Sequence, residues 1–315
     1  MTSQPSRRAA VLWMLLVVAI WGLNVSVSKW TLTEFSPLAF TALRFLLASA
    51  LLMAFLYHRE GSLRLPPGAF WPVVGLGLVG NTIYQLGFIF GLAHTTATNS
   101  ALVLASMPPM VAGLGAAFRI ERITVRGIEG LVLATIGVVL VIASHGLGFS
   151  GTTMLGDLLT LGAVVCWAFF TLGVRMQSLS LSPLAITAWT VLTGSVPLVL
   201  LGIPALAEMP WEQTTAAGWG GVIYSSVFSL VVGYILWNWS IKVVGSNRTA
   251  IFACLTPVFA MLTAMLILSE RPGPAQLAGG VLVIMGVLLS QRAAPLPGTG
   301  APNSNSLSHA QVPDA

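Results

Sequence analysis

Residues 36–57 read SPLAFTALRFLLASALLMAFLY, a serine-proline start followed by a run in which Arg44 is the single charged residue. A stretch of roughly 20 mostly apolar residues is long enough to cross the hydrocarbon core of a bilayer as a helix. The first four residues, Ser36-Pro37-Leu38-Ala39, are repeated 146 residues later as Ser182-Pro183-Leu184-Ala185, again before a long apolar run. This stretch therefore predicts a membrane-spanning helix and a duplicated architecture.

The composition of the whole chain agrees with that prediction. Its 315 residues are 56% hydrophobic and 7% charged, whereas a soluble domain carries about 25% charged residues. The net charge of +5 is spread thinly between apolar runs, so we expect a lipid bilayer and no nucleic acid as partner. Apolar runs bounded by charges, Pro or Gly predict an all-α membrane protein with ten transmembrane helices, at residues 10–29, 37–57, 70–93, 96–118, 126–144, 157–176, 183–203, 219–241, 248–269 and 274–291.

The basic residues predict the orientation of these helices. With a cytoplasmic N-terminus, only Lys29 and Arg271 face outward and Arg44 lies within a span. The residues on the inner side are Arg7, Arg8, Arg59, Arg64, Arg119, Arg122, Arg126, Arg175, Lys242, Arg248 and Arg292. Because positive residues concentrate in cytoplasmic loops, both termini are predicted to be cytoplasmic, in a bacterial inner membrane.

Further matches extend the repeat along the chain. The offset of 146 places Trp21 on Trp167, and an offset of 149 matches Pro108 to Pro257 and Glu121-Arg122 to Glu270-Arg271. Five helices in each half, an odd number, predict two inverted five-helix repeats, as in many secondary transporters. The predicted segments are a cytoplasmic N-terminus (1–9), a first repeat (10–144), an external linker (145–156), a second repeat (157–291) and a disordered cytoplasmic tail (292–315).

Motifs in both halves carry a family resemblance. Trp21-Gly22-Leu23-Asn24, Arg44-Phe45-Leu46-Leu47-Ala48 and, in each half, a mid-span proline followed by Glu-Arg and a glycine-punctuated helix stand in this order. Over roughly residues 10–291 the chain resembles the EamA-type transporters of the drug/metabolite transporter superfamily. The resemblance implies a ten-helix carrier that alternates between inward and outward access, commonly an exporter of amino acids or related metabolites. Trp167-Ala168 and Thr190 depart from the first half's Trp-Gly and Arg44, which leaves the substrate open.

Polar and aromatic residues near mid-span are the candidates for binding a small-molecule substrate, because inverted-repeat carriers bind near the bilayer midplane. On the first helix Trp21 and Asn24 share a face, and Trp167 is the repeat mate of Trp21. The third and eighth helices carry polar-aromatic sets with the same i, i+3, i+4 spacing, namely Asn81, Tyr84 and Gln85, and Tyr234, Trp237 and Asn238. The alternative is that these side chains only bond neighbouring helices.

Four further residues, Pro108, Pro257, Asn99 and Arg44, each allow two interpretations. Pro108 and Pro257 lie near the middle of predicted helices, where a proline removes a backbone donor and gives either a hinge or a packing kink. Asn99, which lies outward from Pro108 on the same predicted helix, either contacts substrate or starts its helix. Arg44 either pairs with a substrate carboxylate or extends outward to loop carbonyls near Glu34.

Signals for other classes of protein are weak. No Asp or Glu lies at mid-membrane in the predicted spans, and no phosphate-binding loop, zinc-spaced histidine pair or Gly-x-Ser-x-Gly elbow occurs. We therefore expect no enzyme activity, no metal and no cofactor. The prediction is a secondary transporter exporting amino acids or related small metabolites by alternating access through a midplane cavity. The alternatives are an efflux carrier for drugs or other cationic compounds and a non-transporting scaffold or lipid-handling protein. Glycines on the fifth and tenth helices suggest a homodimer face.

Overall fold

The protein, as a computed structural model, is described at residues 7–118, 125–143, 151–177, 181–244 and 255–292, and all its regular structure there is helical. In chain order the helices are α1 (Arg7–Thr31), α2 (Pro37–Glu60), α3 (Phe70–Gly77, Leu78–Ile83 and Tyr84–His94), α4 (Ala97–Leu104 and Met107–Ala117), α5 (Val125–Ala143), α6 (Gly151–Gln177), α7 (Pro183–Ala207), α8 (Ala216–Tyr224, Ser225–Val232 and Gly233–Val244), α9 (Thr256–Ile267) and α10 (Pro274–Arg292). A short 3₁₀ helix, Trp211–Gln213, precedes α8.

Length and hydropathy make this an all-α, multi-pass membrane protein. Within the described ranges seven helical stretches, in α1 to α4 and α6 to α8, are long and apolar enough to cross a bilayer, and α9 and α10 contain shorter apolar helices. The number of crossings, the inverted repeat and the side of the termini stay predictions. Residues 1–6 of the predicted N-terminal segment, 145–150 of the linker and 293–315 of the tail lie outside the described residues.

The repeated Ser-Pro motif forms the same local structure twice. Ser36 precedes α2 and Ser182 precedes α7, each with extended backbone and each accepting a hydrogen bond from the backbone N–H three residues later. The proline that follows occupies the first helical turn, where its missing N–H leaves no intrahelical bond unmade. The two copies therefore start their helices by the same capping mechanism, and α2 and α7 pack against each other.

Two helices contain a π-helical stretch, and two begin or break at a proline. The π-helical segments are Leu78–Ile83 in α3 and Ser225–Val232 in α8. Helix α4 is interrupted at residues 105–106, directly before Met107-Pro108, and Pro257 lies in the first turn of α9. Pro108 lies near the middle of α4, as predicted, but in the first turn of its second segment and directly after the break, where a proline fits better than in a helix interior. Residues 251–254, before α9, lie outside the described ranges.

Helices α5 and α10 pack closely through their glycines. A Cβ on Gly137 would lie 2.6 Å from the carbonyl oxygen of Gly279, and one on Gly286 would lie 2.5 Å from the backbone nitrogen of Ala134. Small residues let two helix backbones approach, which explains why they occur here. The glycine faces suggested for a dimer thus already face each other within one chain, and this reason for a homodimer no longer holds.

Helix α6 begins earlier than the sequence indicated. It starts at Gly151, so residues 151–156 of the predicted linker are helical. Asp157, the first residue of the predicted span 157–176, lies inside the helix, where its side chain is fully buried and accepts hydrogen bonds from Thr95 and Asn99. A buried carboxylate with such partners can stand inside a helix, because the partners replace its hydration.

Candidate functional site

A cavity of about 90 Å³ lies between the helices near the middle of the molecule. Among the described residues, seven helices line it, α1 to α4, α6, α8 and α9. Its residues are Trp21, Asn24, Val25, Arg44, Tyr84, Gln85, Phe88, Ala101, Leu104, Ala105, Met107, Pro108, Trp167, Ser229, Leu230, Tyr234, Trp237, Thr256 and Pro257.

Aromatic rings form one wall of this cavity. The Trp21 ring centroid lies 6.3 Å from that of Trp167, 6.1 Å from that of Tyr234 and 5.0 Å from that of Trp237. Edge-to-face pairs at such separations are favourable beyond their burial. The indole N–H of Trp21 donates to the backbone oxygen of Ser229 at 3.1 Å. Ser229 lies in the π-helical part of α8, and its carbonyl oxygen holds the Trp21 ring in place. π-Helical segments of this kind are frequent at functional sites.

The cavity takes both members of three pairs of predicted repeat mates. Trp21 and Trp167 come from α1 and α6, Tyr84 and Trp237 from α3 and α8, and Pro108 and Pro257 from α4 and α9. In α3 the π-helical stretch ends at Ile83, directly before Tyr84. In α8 it ends at Val232, two residues before Tyr234. The two halves of the chain thus meet at this cavity through corresponding positions.

Arg44 lies in the cavity lining, where the sequence left two readings open. Its side chain is only 1% exposed, and one guanidinium nitrogen donates to Oε1 of Gln85. The guanidinium carbon lies 4.9 Å from the ring centroid of Phe40 and 5.6 Å from that of Phe45. Arg44 therefore points inward, and the outward reading is wrong. The sequence signal for this position was a single charged residue inside a predicted span.

Several buried polar atoms along the cavity lack a protein partner. Within the described part of the chain no hydrogen bond is formed by Nε of Arg44, Oδ1 of Asn24 or Oγ1 of Thr256. An unsatisfied polar group buried in protein costs about 1–3 kcal/mol. These three residues line the cavity with unmet hydrogen-bonding capacity, and Thr256 is one that sequence reasoning missed.

Two predicted site residues, Asn81 and Asn238, do not line the cavity. Asn81 is fully buried on α3, where its Cβ faces Gly194 of α7, and Asn238 donates to Oγ1 of Thr187 at 2.6 Å. The prediction for Asn81 relied on α-helical spacing, but i→i+5 bonding over Leu78–Ile83 takes more residues per turn and turns Asn81 off the face of Tyr84. Asn238 links α8 to α7 as an interhelical hydrogen bond.

Asn99 also lies outside the cavity, in a network of polar side chains. Its amide donates to the Asp157 carboxylate at 3.0 Å, and its oxygen accepts from Nε2 of Gln276 at 2.6 Å. Oγ1 of Thr95 donates to the same carboxylate at 2.6 Å. Asn99 therefore joins α4 to α6 and α10.

Two more charged residues hold the turn between α3 and α4. Nζ of Lys29 donates to the carbonyl oxygens of Leu92, Ala93 and Thr95, at 2.7, 3.2 and 2.6 Å. The Glu270 carboxylate accepts from the backbone N–H groups at the start of α4 and from Oγ1 of Thr98 at 2.6 Å. We call this set the turn cluster; it comprises Lys29, Thr95, Thr98, Asn99, Asp157, Glu270 and Gln276.

The turn cluster lies to one side of the cavity along the helix axes. At 1.5 Å per residue, Lys29 is about 7 Å beyond Asn24 on α1, and Asp157 is about 15 Å from Trp167 on α6. Both displacements point toward the end of the molecule that carries the α3–α4 turn. The cluster therefore fastens α1, α3, α4, α6 and α10 together on one side of the cavity.

No group of three or more His, Cys, Asp or Glu side chains suited to a metal ion occurs in the described residues. The cavity offers aromatic surface, a guanidinium and amides. This set can bind and orient a small organic molecule.

Comparison with known proteins identifies relatives along almost the whole chain. The model of the EamA-like transporter family matches residues 8–143 and again residues 154–291. An uncharacterized transporter of Bacillus subtilis, YyaM, is 30% identical over 289 residues, which cover 90% of this chain and 94% of the relative. A protein of Escherichia coli (strain K12) named probable amino-acid metabolite efflux pump is 29% identical over 90% of this chain and 95% of its own length.

A solved crystal structure has a similar fold. It superimposes with a TM-score of 0.66 at 20% sequence identity and covers 90% of this chain and 97% of its own. This likeness supports the arrangement of the helices.

Proposed function

Because the chain belongs to the EamA-like transporter family, we propose that it exports amino acids or related small metabolites from a bacterial cell by alternating access through its central cavity. The observation that carries the proposal is the cavity itself, to which both halves of the chain contribute corresponding residues and unsatisfied polar atoms. The Escherichia coli relative's name, probable amino-acid metabolite efflux pump, supports the cargo class and the direction.

The proposed architecture is ten membrane crossings in two inverted repeats, with both termini in the cytoplasm of a multi-pass inner-membrane protein. The distribution of basic residues supports the orientation. In this orientation the turn cluster lies between the cavity and the outer face, and its bonds close the outer side. Opening outward requires those bonds to break, while the proline-started segments of α4 and α9 change their angle at Pro108 and Pro257.

The chemistry of the cavity lining supports a small metabolite with one apolar and one polar end as cargo. The aromatic wall gives the apolar part of such a molecule a surface to pack on, and Arg44, Gln85 and Asn24 offer hydrogen bonds to its polar end.

Transport in proteoliposomes tests the proposal. The purified protein is reconstituted, and efflux is followed for the twenty amino acids, several 2-oxo acids and two organic cations, tetraphenylphosphonium and ethidium. We expect protein-dependent efflux of at least one amino acid or acid. A protein that moves none of them would be a non-transporting membrane protein, and one that moves only the cations would be a drug-efflux carrier.

Replacing Trp21 with alanine should lower that efflux at least tenfold, because Trp21 contacts three aromatic rings and holds the backbone of α8. The matched control is Trp71→Ala, the same truncation at a side chain that is 78% exposed on α3. Rates are compared at equal amounts of monodisperse protein. Equal loss in both variants, or no loss in Trp21→Ala, would remove the cavity from the transport path.

A further inference from the structure

The cavity lining carries a single formal charge, on Arg44. Among the residues that line it in the described part of the chain there is no Asp, Glu, Lys or His. The repeat mate of Arg44, Thr190, is an uncharged residue whose hydroxyl donates to the Ile186 carbonyl of its own helix at 2.7 Å. The charge is therefore present in one half only, and the cavity is electrically asymmetric.

The protein does not use all of Arg44's hydrogen-bonding capacity. A guanidinium has five N–H donors, and the structure gives one bond, to Oε1 of Gln85, while Nε has no partner in the described residues. Phe40 and Phe45 cover other sides of the group with their rings. Because the side chain is almost fully buried, these donors have little access to bulk water.

A buried cation without a counter-charge is expensive at membrane depth. An anionic ligand in the cavity supplies the missing charge, and a planar carboxylate fits the planar fork of a guanidinium with two parallel hydrogen bonds. An organic cation in the same space meets a like charge. Gln85 is suited to assist, because its Nε2 also approaches the hydroxyl of Tyr234 at 3.4 Å and so connects the guanidinium to the other half of the chain.

We propose that Arg44 binds the carboxylate of the cargo, so that the transported molecules are small carboxylates, with or without an amino group, and not organic cations. This inference rests on the proposed function, since it assigns the chemistry of cargo in the same cavity. The carboxylate lies near α2 and α3, and the apolar body packs on Trp21, Trp167 and Trp237. The α-amino group of an amino acid is tolerated, with Oδ1 of Asn24, which has no partner among the described residues, as its acceptor.

Two ligand series of constant shape test the charge requirement on the unmodified protein. One comprises leucine, leucinamide and 4-methylpentanoate, and the other comprises phenylalanine, phenylalaninamide and 3-phenylpropionate. Within a series the amide keeps the body and the amino group but lacks the carboxylate, whereas the last compound keeps the carboxylate and lacks the amino group. Binding is measured by calorimetry and by the rise of the unfolding midpoint in detergent, which follows ligand concentration relative to Kd.

In at least one series we expect both carboxylates to bind about 10- to 100-fold more tightly than the amide, as for hydrogen bonds to a charged group. In Arg44→Gln the acids should weaken to the level of the amide, whereas Arg44→Lys should retain part of the preference. Equal binding of acid and amide in both series would overturn the inference, as would binding of neither acid.

The outcomes separate this inference from the proposed function. If the liposome panel gives efflux of a cation that lacks a carboxylate, the protein is a transporter but Arg44 does not select carboxylates. If the panel gives no efflux at all, the proposed function falls first. If the Arg44→Gln variant fails to fold, the comparison of acid with amide on the unmodified protein still tests whether the cavity requires a carboxylate.

Discussion

Replacing Gly286 with alanine is expected to lower the unfolding midpoint of the protein clearly, although alanine is the better helix former. The new Cβ would lie 2.5 Å from the backbone nitrogen of Ala134 and from the backbone oxygen of Gly130. Backbone atoms cannot rotate away, so α5 and α10 must separate along their contact, and overpacking of this kind costs about 1–3 kcal/mol or more. The midpoint in detergent, followed by fluorescence-detected gel filtration after heating, measures the effect.

Gly162→Ala provides the opposite expectation. A Cβ at Gly162 on α6 meets nothing within 4 Å in the described residues. The substitution should leave the midpoint unchanged or raise it slightly, because alanine is favoured over glycine in a helix by about 1 kcal/mol. Equal effects of the two substitutions would mean that α5 and α10 do not pack through these glycines.

Replacing Glu270 with glutamine is expected to open the side of the cavity that carries the turn cluster. The carboxylate accepts three hydrogen bonds at the start of α4 and attracts Lys29, and glutamine has neither the charge nor the second acceptor oxygen. A hydrogen bond to a charged group is worth about 1.5–3 kcal/mol, so losing one should raise the opened population roughly tenfold or more.

Cysteine labelling measures this opening. In a background without Cys166 and Cys254, the reporter Ser229→Cys places a thiol of similar size in the cavity lining. A membrane-impermeant maleimide added to intact cells should modify it faster when Glu270→Gln is present. Glu212→Gln is the control, because Glu212 is an exposed acid on the same predicted face, in the short helix before α8. Unchanged labelling in Glu270→Gln would remove the turn cluster from any gating role.

The helices and most of the cavity-lining residues that were proposed as site residues can be predicted from local sequence patterns. Apolar runs predict helices, and a Ser-Pro start predicts a capped helix, because both depend on neighbouring residues only. Trp21, Asn24, Tyr84, Gln85, Trp167, Tyr234 and Trp237 all line the cavity, since mid-span polar and aromatic residues must face protein or a cavity when lipid cannot satisfy them.

The errors have physical causes that no local pattern reveals. Asn81 leaves the predicted face because a π-helical stretch changes the turn around it, and nothing in residues 78–83 announces that stretch. Asn99 and Asp157 are hydrogen-bonded between α4 and α6, although they are 58 residues apart in sequence. Arg44 faces the cavity because α2 packs against α7 and the π-helical part of α8, a tertiary contact that its own neighbours do not encode.

The central claim, that cargo occupies this cavity on its way across the membrane, is tested most directly by protection of one thiol. In the cysteine-free background, Ser229→Cys is labelled in inside-out and right-side-out vesicles while the transported compound is titrated. The thiol should react from both faces, and cargo should slow the reaction with a midpoint near its transport KM. A labelling rate that stays the same at saturating cargo, or a thiol reached from one face under every condition, would contradict the account.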